Sequence, residues 1–267
     1  RRATPRRRQC ALNVPQQELV RPQIWDASRY QMLYANFPRI APKRKGGLVA
    51  ASRKKRSIAI QTGRDTMKYG AIYPSLKGRT VLVTGGGSGI GESIVEHFAA
   101  QGAKVGFIDI AEKESKALVK RLKRKRQKVH FEYCDLTDID ALRRSVKAIR
   151  KAFGPITVLV NNAAHDERHK LSEITSEYFD DRIRVNLKHH LFTIQEVAGD
   201  MKKAKNGSII NMGSISWMVA FSDIPVYEAS KAGILGLTRG LARELGQHNI
   251  RINSIAPGGI MTKRQKD

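Results

Sequence analysis

The chain has 267 residues, 41% of them hydrophobic, enough for one large domain or two small ones with a packed core. Its net charge of +25 is far from ordinary, and about half of it lies in the first quarter: residues 1–66 carry 16 Lys and Arg against 3 Asp and Glu. Two cysteines give no disulfide framework, no apolar run reaches the roughly 18–20 residues of a membrane span, and the start lacks the apolar core of a secretory signal, so a cytoplasmic protein is expected.

The basic clusters Arg6-Arg7-Arg8, Lys43-Arg44-Lys45 and Arg53-Lys54-Lys55-Arg56 sit in a stretch without helical or strand period. Residues 1–66 are therefore expected to be a disordered basic extension. Such clusters could hold nucleic acid electrostatically, which is the non-enzymatic reading of the chain. No aromatic stacking pattern accompanies them, so nucleic acid is not an expected partner. From Met67 the sequence MKYGAIYPSLKGR reads as a natural start, and residues 67–267 as one domain.

Within that domain strands and helices alternate. Thr80–Thr84 is a β-branched run, followed by the glycine-rich 85–91 and a helix over Glu92–Gln101. Lys104–Asp109 is the second strand, Glu112–Lys128 a charged helix, Val129–Cys134 the third strand and Asp138–Phe153 the next helix. Thr157–Val160, a long helical stretch over Ser172–Lys203, Ser208–Met212, a helix over Val226–Gly246 and a strand over Arg251–Ile255 complete the series. Repeated βα units of this length predict an α/β fold: a Rossmann-type, doubly wound parallel sheet with helices on both faces.

Three local patterns carry chemistry. The turn Thr84-Gly85-Gly86-Gly87-Ser88-Gly89-Ile90-Gly91 follows a strand and opens a helix, where glycines let the backbone approach a pyrophosphate seated on the helix N-terminus. Asp109 ends the second strand, 18 residues beyond Gly91, where a carboxylate can accept bonds from the adenosine ribose; flanked by Ile108 and Ile110 rather than by Arg or Lys, it favours NAD over NADP. Tyr227 and Lys231, four apart on a helix, bring an ammonium beside a phenol, which favours the phenolate and suits it to take a proton from an alcohol. An ordinary helix-surface pair has the same spacing. Ser214 lies 13 positions before Tyr227, at the C-terminal tip of the strand Ser208–Met212, where open α/β sheets place their ligands. No metal site is expected.

Taken together, TGGGSGIG, Asp109, Asn161-Asn162-Ala163, Asn186, Ser214, Tyr227, Lys231 and Pro257-Gly258 resemble, in order and spacing, the motif series of the short-chain dehydrogenase/reductase family, over Lys77 to about Gln265. The resemblance implies roles. Tyr227 would be the general acid/base, Lys231 would assist it and bind the nicotinamide ribose, Ser214 would bond the reacting oxygen, and Asn186 would hold a relay water. Asp135 and Leu136 would contact adenine. Asn161 to Ala163 would line the cofactor and pin the central strands, and Pro257, Gly258, Ile260 and Thr262 would complete the cofactor site. The family also implies a homo-oligomer, tetramer or dimer. The sequence departs from the pattern in reading NNAA, with Ala164. It ends at Asp267, whereas the family continues with a substrate loop, a helix and a seventh strand, so the domain is expected to lack that last part.

A closer likeness lies in His165-Asp166-Glu167-Arg168-His169, in Gly213-Ser214-Ile215-Ser216-Trp217 and in Thr262-Lys263-Arg264-Gln265, which resemble bacterial NAD-dependent aldose dehydrogenases of the D-xylose 1-dehydrogenase type. This implies oxidation of a sugar hemiacetal to a lactone, with His165, Asp166, Ser214, Ser216 and Tyr227 facing the sugar. A 3-oxoacyl carrier-protein reductase, or another NAD(P)-dependent alcohol or carbonyl oxidoreductase of the family, is the rival enzymatic reading.

Overall fold

A computed structural model of the chain describes residues 71–262. The expectations placed on residues 1–66 and on Lys263-Arg264-Gln265 lie outside these residues. Six strands, β1 (Thr80–Thr84), β2 (Lys104–Asp109), β3 (Lys128–Tyr133), β4 (Ile156–Asn161), β5 (Gly207–Met212) and β6 (Ile250–Ile255), form one sheet in the order β3-β2-β1-β4-β5-β6. Every neighbouring pair is parallel. The neighbours β1 and β4 are not consecutive in sequence, so the strand order reverses between them and opens a crevice at their C-terminal ends.

The strands explain the two cores. Side chains alternate across a strand, so Leu82, Ile108, Leu159, Ile209 and Ile252 enter one apolar cluster, and Val81, Val83, Val105, Phe107, Val158 and Val160 the other. Covered on both faces, β1 is buried along its whole length, which is why it is apolar throughout rather than alternating. The first cluster is closed by α3 (Ile139–Phe153), α5 (His189–Ala204) and α7 (Pro225–Gly246), and the second by α1 (Gly89–Ala100) and α2 (Glu112–Arg124).

Several boundaries differ from expectation. Helix α1 begins at Gly89, inside the glycine turn, rather than at Glu92. Helix α2 stops at Arg124 because Arg126 turns into the left-handed region at φ 59°, letting β3 start at Lys128. The stretch expected as one long helix from Ser172 is a 3-10 turn at Leu171–Glu173, then α4 (Ser176–Ile183), a π-helical segment at Arg184–Lys188, and α5. Thr175 restarts it, its hydroxyl accepting from the Tyr178 amide at 3.2 Å as an N-cap. A short helix α6 (Ser216–Val219) follows β5 and has no signal in the sequence pattern.

Candidate active site

The glycine turn links β1 to α1 and is held from below by β2: the Gly85 amide donates to the Ile108 carbonyl at 2.8 Å. Three of its positions exclude a side chain. A Cβ at Gly85, which has φ +64°, would sit 2.8 Å from Ala163 Cα, and one at Gly86 2.7 Å from Phe107 Cβ. One at Gly91 would overlap the Gly85 carbonyl oxygen, so the first turn of α1 lies flat against the loop. The Ser88 side chain makes no cap to this helix, which leaves the amides of its first turn without a side-chain acceptor at the crevice. Asp109 joins the loop directly. One carboxylate oxygen accepts from the Gly87 amide at 2.7 Å and the other from the Ala111 amide at 2.8 Å, so the negative charge stands at the tip of β2 beside the turn.

On the other side of the crevice, Pro225 opens α7 and places Tyr227 and Lys231 one turn apart on its inner face. Lys231 is 2% exposed. Its ammonium donates to the Met212 carbonyl, the last residue of β5, at 2.7 Å and lies 5.4 Å from the centre of the Tyr227 ring. Burial pushes its pKa down to about 8, partly offset by the negative charge of Asp166 in the loop after β4. Ser214 is two residues beyond Met212, and its hydroxyl accepts from the Ser216 amide at 3.0 Å. An O–H can still donate while it accepts, so Ser214 keeps a proton to offer a reacting oxygen.

These features have relatives. A family model described as short chain dehydrogenase matches residues 79–267. A D-xylose 1-dehydrogenase of Caulobacter vibrioides (strain NA1000 / CB15N) is 50% identical over 196 residues, 73% of this chain and 77% of the relative. The probable galactose dehydrogenase of Rhizobium meliloti (strain 1021) is 46% identical over 195 residues, 73% of this chain and 76% of its own. Among solved structures, a short-chain type dehydrogenase/reductase from Mycobacterium ulcerans superposes with a TM-score of 0.67 at 28% identity, covering 70% of each chain. The chain belongs to the short-chain dehydrogenase family. It is an oxidoreductase acting on CH–OH donors, with a nicotinamide dinucleotide as cofactor and a small molecule as substrate.

As a short-chain dehydrogenase, the chain has a turn that fits the dinucleotide: glycines with no room for Cβ, uncapped helix amides and a carboxylate at the tip of β2. Thr262 closes over the turn, with its methyl 3.5 Å from the Cβ position of Gly89. Pro257 is tied to the site by its carbonyl, which accepts from the Ile215 amide at 3.1 Å, while Gly258 and Ile260 are exposed on the segment between them. Asp135 is exposed and caps a turn through the Thr137 amide at 2.8 Å. Leu136 belongs to the apolar core rather than to an open adenine face.

Three other residues have side chains that are already bonded or enclosed, and Asn161 meets the strand-pinning part of its expectation. Asn161 is 0% exposed, and its amide donates to Asn211 at 2.9 Å and to the His190 carbonyl at 3.4 Å. It therefore pins β4 to β5 from inside, whereas Asn162 reaches the Thr84 and Gly85 carbonyls at 3.1 and 2.9 Å and Ala163 abuts Gly85. Ser216 is 3% exposed, its hydroxyl enclosed rather than presented to the crevice, because it heads α6 with its side chain turned inward. Asn186 sits in the π-helical segment and exchanges two bonds with His165, accepting from its amide at 2.8 Å and donating to its carbonyl at 3.0 Å. Its side chain is a clamp on the loop after β4, and a relay water would rely on its remaining lone pair, N–H or backbone.

The sequence reading missed the polar layer beneath this site. Asn211 donates to Thr238 at 3.0 Å, and Thr238 donates to the Ile234 carbonyl at 2.7 Å, extending the Asn161 link into α7. His189 and His190 are fully buried, with ring centres 4.4 Å apart. Their ring nitrogens make no well-formed bond among the described residues, though the Val185 backbone and the Asn211 amide act on them electrostatically. Burial, with the Lys231 charge nearby, pushes His189 down to about 3 and His190 well below the ordinary value. Both imidazoles are thus neutral beside the buried ammonium of Lys231. The signal that could have found Asn211 is a polar residue inside the apolar run of β5. Among the described residues no cluster of three or more His, Cys, Asp or Glu could hold a metal, and no helix is long and apolar enough to cross a membrane.

Proposed function

We propose that this chain oxidises the hemiacetal carbon of an aldose, a pentose such as D-xylose, to a lactone with NAD as oxidant. The observation that carries the reading is the half-buried Tyr227 ring beside the buried Lys231 ammonium, in a chain 50% identical over 196 residues to a D-xylose 1-dehydrogenase. Tyr227, as phenolate, removes the proton of the anomeric hydroxyl. Ser214 donates to the same oxygen and fixes its position. The Lys231 ammonium, held on the Met212 carbonyl, stabilises negative charge on the Tyr227 ring side and reaches the nicotinamide ribose. The bound nicotinamide ring supplies the acceptor for the hydride that leaves C1. His165 and Asp166, in the loop after β4, bond the remaining sugar hydroxyls, and Asp166 also supports the Lys231 charge. Asp109 accepts from the adenosine ribose, and its charge repels a 2′-phosphate.

The test is an initial-rate screen of the full chain with pentoses, hexoses, polyols and acyl thioesters, each with NAD or NADP, or their reduced forms for the thioesters. D-xylose or a close aldose with NAD is the expected pair. Reduction of a 3-oxoacyl thioester with NADPH and no turnover of any aldose overturns the reading.

A further inference from the structure

Arg182, near the end of α4, is 13% exposed by its side chain, although it touches no catalytic group. Its guanidinium holds four neighbours at once. Nε and Nη2 bond the Asp181 carboxylate, Nε at 3.1 Å. Nη1 lies 3.3 Å from the Glu167 carboxylate and donates to Nδ1 of His165. The plane stands over the Tyr178 ring at 5.4 Å. Tyr178 extends the grip, its hydroxyl donating to the Glu167 carbonyl at 3.2 Å and its ring lying 4.0 Å from the His169 ring. The far side of the loop is tied as well, His169 to the Asp223 carbonyl at 2.8 Å and Arg168 to the Ser222 carbonyl at 3.2 Å.

His165, Glu167, Arg168 and His169 are therefore each tied through their side chains, and Asp166 sits between them with its charge reaching Lys231. The half-exposed His165 ring and the Asp166 carboxylate are thus neighbours on a held loop, polar groups of the kind that suit adjacent hydroxyls of a polyhydroxylated substrate. A planar fork of five donors can hold His165, Glu167 and Asp181 together, and a lysine cannot.

We propose that Arg182 is a positioning residue that sets selectivity for the sugar by fixing His165 and Asp166, acting on substrate recognition and not on the chemical step. This rests on the aldose reading above. The test compares Arg182→Gln, Arg182→Lys and Glu167→Gln in the full chain, Glu167 being 47% exposed and so removable without opening a core. Arg182→Gln is expected to raise the KM for D-xylose roughly tenfold, leave kcat within a few-fold, and flatten the preference between D-xylose and a pentose differing at one hydroxyl. NAD affinity is expected to stay unchanged. Arg182→Lys should recover little of the loss, and Glu167→Gln should move KM the same way by a smaller factor. Unchanged KM and preference in Arg182→Gln overturn the proposal, as does an unchanged Glu167→Gln should the arginine variant fail to fold. A parent that oxidises no aldose overturns the aldose reading and this inference with it. A parent that does, with indifferent variants, overturns this inference alone.

Discussion

At the cofactor end of the crevice Gly85, Gly86 and Gly91 act by what they lack, whereas at the catalytic end Asn161, Asn186, Asn211 and Lys231 act by what they bury. The first end is a local object. Its glycines and Asp109 lie within 25 residues of one another, from Gly85 to Asp109, and backbone amides bond the carboxylate. The second is assembled from β4, the π-helical segment, β5 and α7, with bonded partners such as Asn161 and Asn211 50 residues apart. A buried polar group costs free energy unless it is bonded, so that end depends on several long-range contacts being right together.

Substitutions can separate the two ends. The largest expected effect is Tyr227→Phe, which keeps the ring and removes the proposed proton acceptor: turnover should fall by about 10²–10⁴ while NAD affinity, read by fluorescence titration, stays near the parent value. Near-parental oxidation of an aldose by this variant would sink the mechanism. Next is Gly91→Ala, in which one added methyl must displace the Gly85 carbonyl. Overpacking of this kind costs about 1–3 kcal/mol, so the melting temperature and NAD binding should drop together. A variant as stable and as tight as the parent would show that the turn is loose.

The third effect follows from Lys231. Its pKa in the folded chain is about 8 against an ordinary 10.5, so between these values the unfolded chain holds a proton that the folded one has released. Stability from this residue therefore rises with pH across that window and is absent below it, by at most roughly 3 kcal/mol. Urea midpoints of the parent and Lys231→Met at pH 7.5 and 10 should diverge in the parent's favour at the higher pH; parallel curves would contradict the burial. The same sign holds for His189 between about 3 and 6.5, so acid should remove stability there. The last is Asp109→Ala, read as a shift in cofactor preference. It removes charge-assisted bonds worth roughly 1.5–3 kcal/mol each from the NAD side and relieves repulsion of a 2′-phosphate. A parent that already prefers NADP would reverse the reading of Asp109.

The same contrast explains what the sequence disclosed. β-branched runs and helical periods located the six strands and most of the helices to within a few residues, because burial on both faces writes itself into composition. The glycine turn, Tyr227, Lys231 and Ser214 were legible because their spacing is set within one or two elements. The orientations of Ser216 and Asn186 were not, since each depends on a neighbour supplied by another part of the chain, while Asn161 was legible as a strand pin and not as an enclosed one. His189 and His190 were read only as part of a helix, and nothing local to them reports that both faces of that turn are enclosed.

The π-helical segment Arg184–Lys188 has a consequence for how this helix could vary. One residue more than an α-turn needs advances everything after it by roughly 100° about the axis. The segment thus works as a phase shifter: Arg182 before it addresses the loop after β4, and His189 and His190 after it address the interior. A one-residue deletion there would leave the helix intact and its composition almost unaltered, yet turn two neutral imidazoles toward water and a different side chain toward Lys231. Insertions and deletions in this stretch are therefore rotations of the whole downstream face, and the segment's length is as much a part of the site as any residue in it.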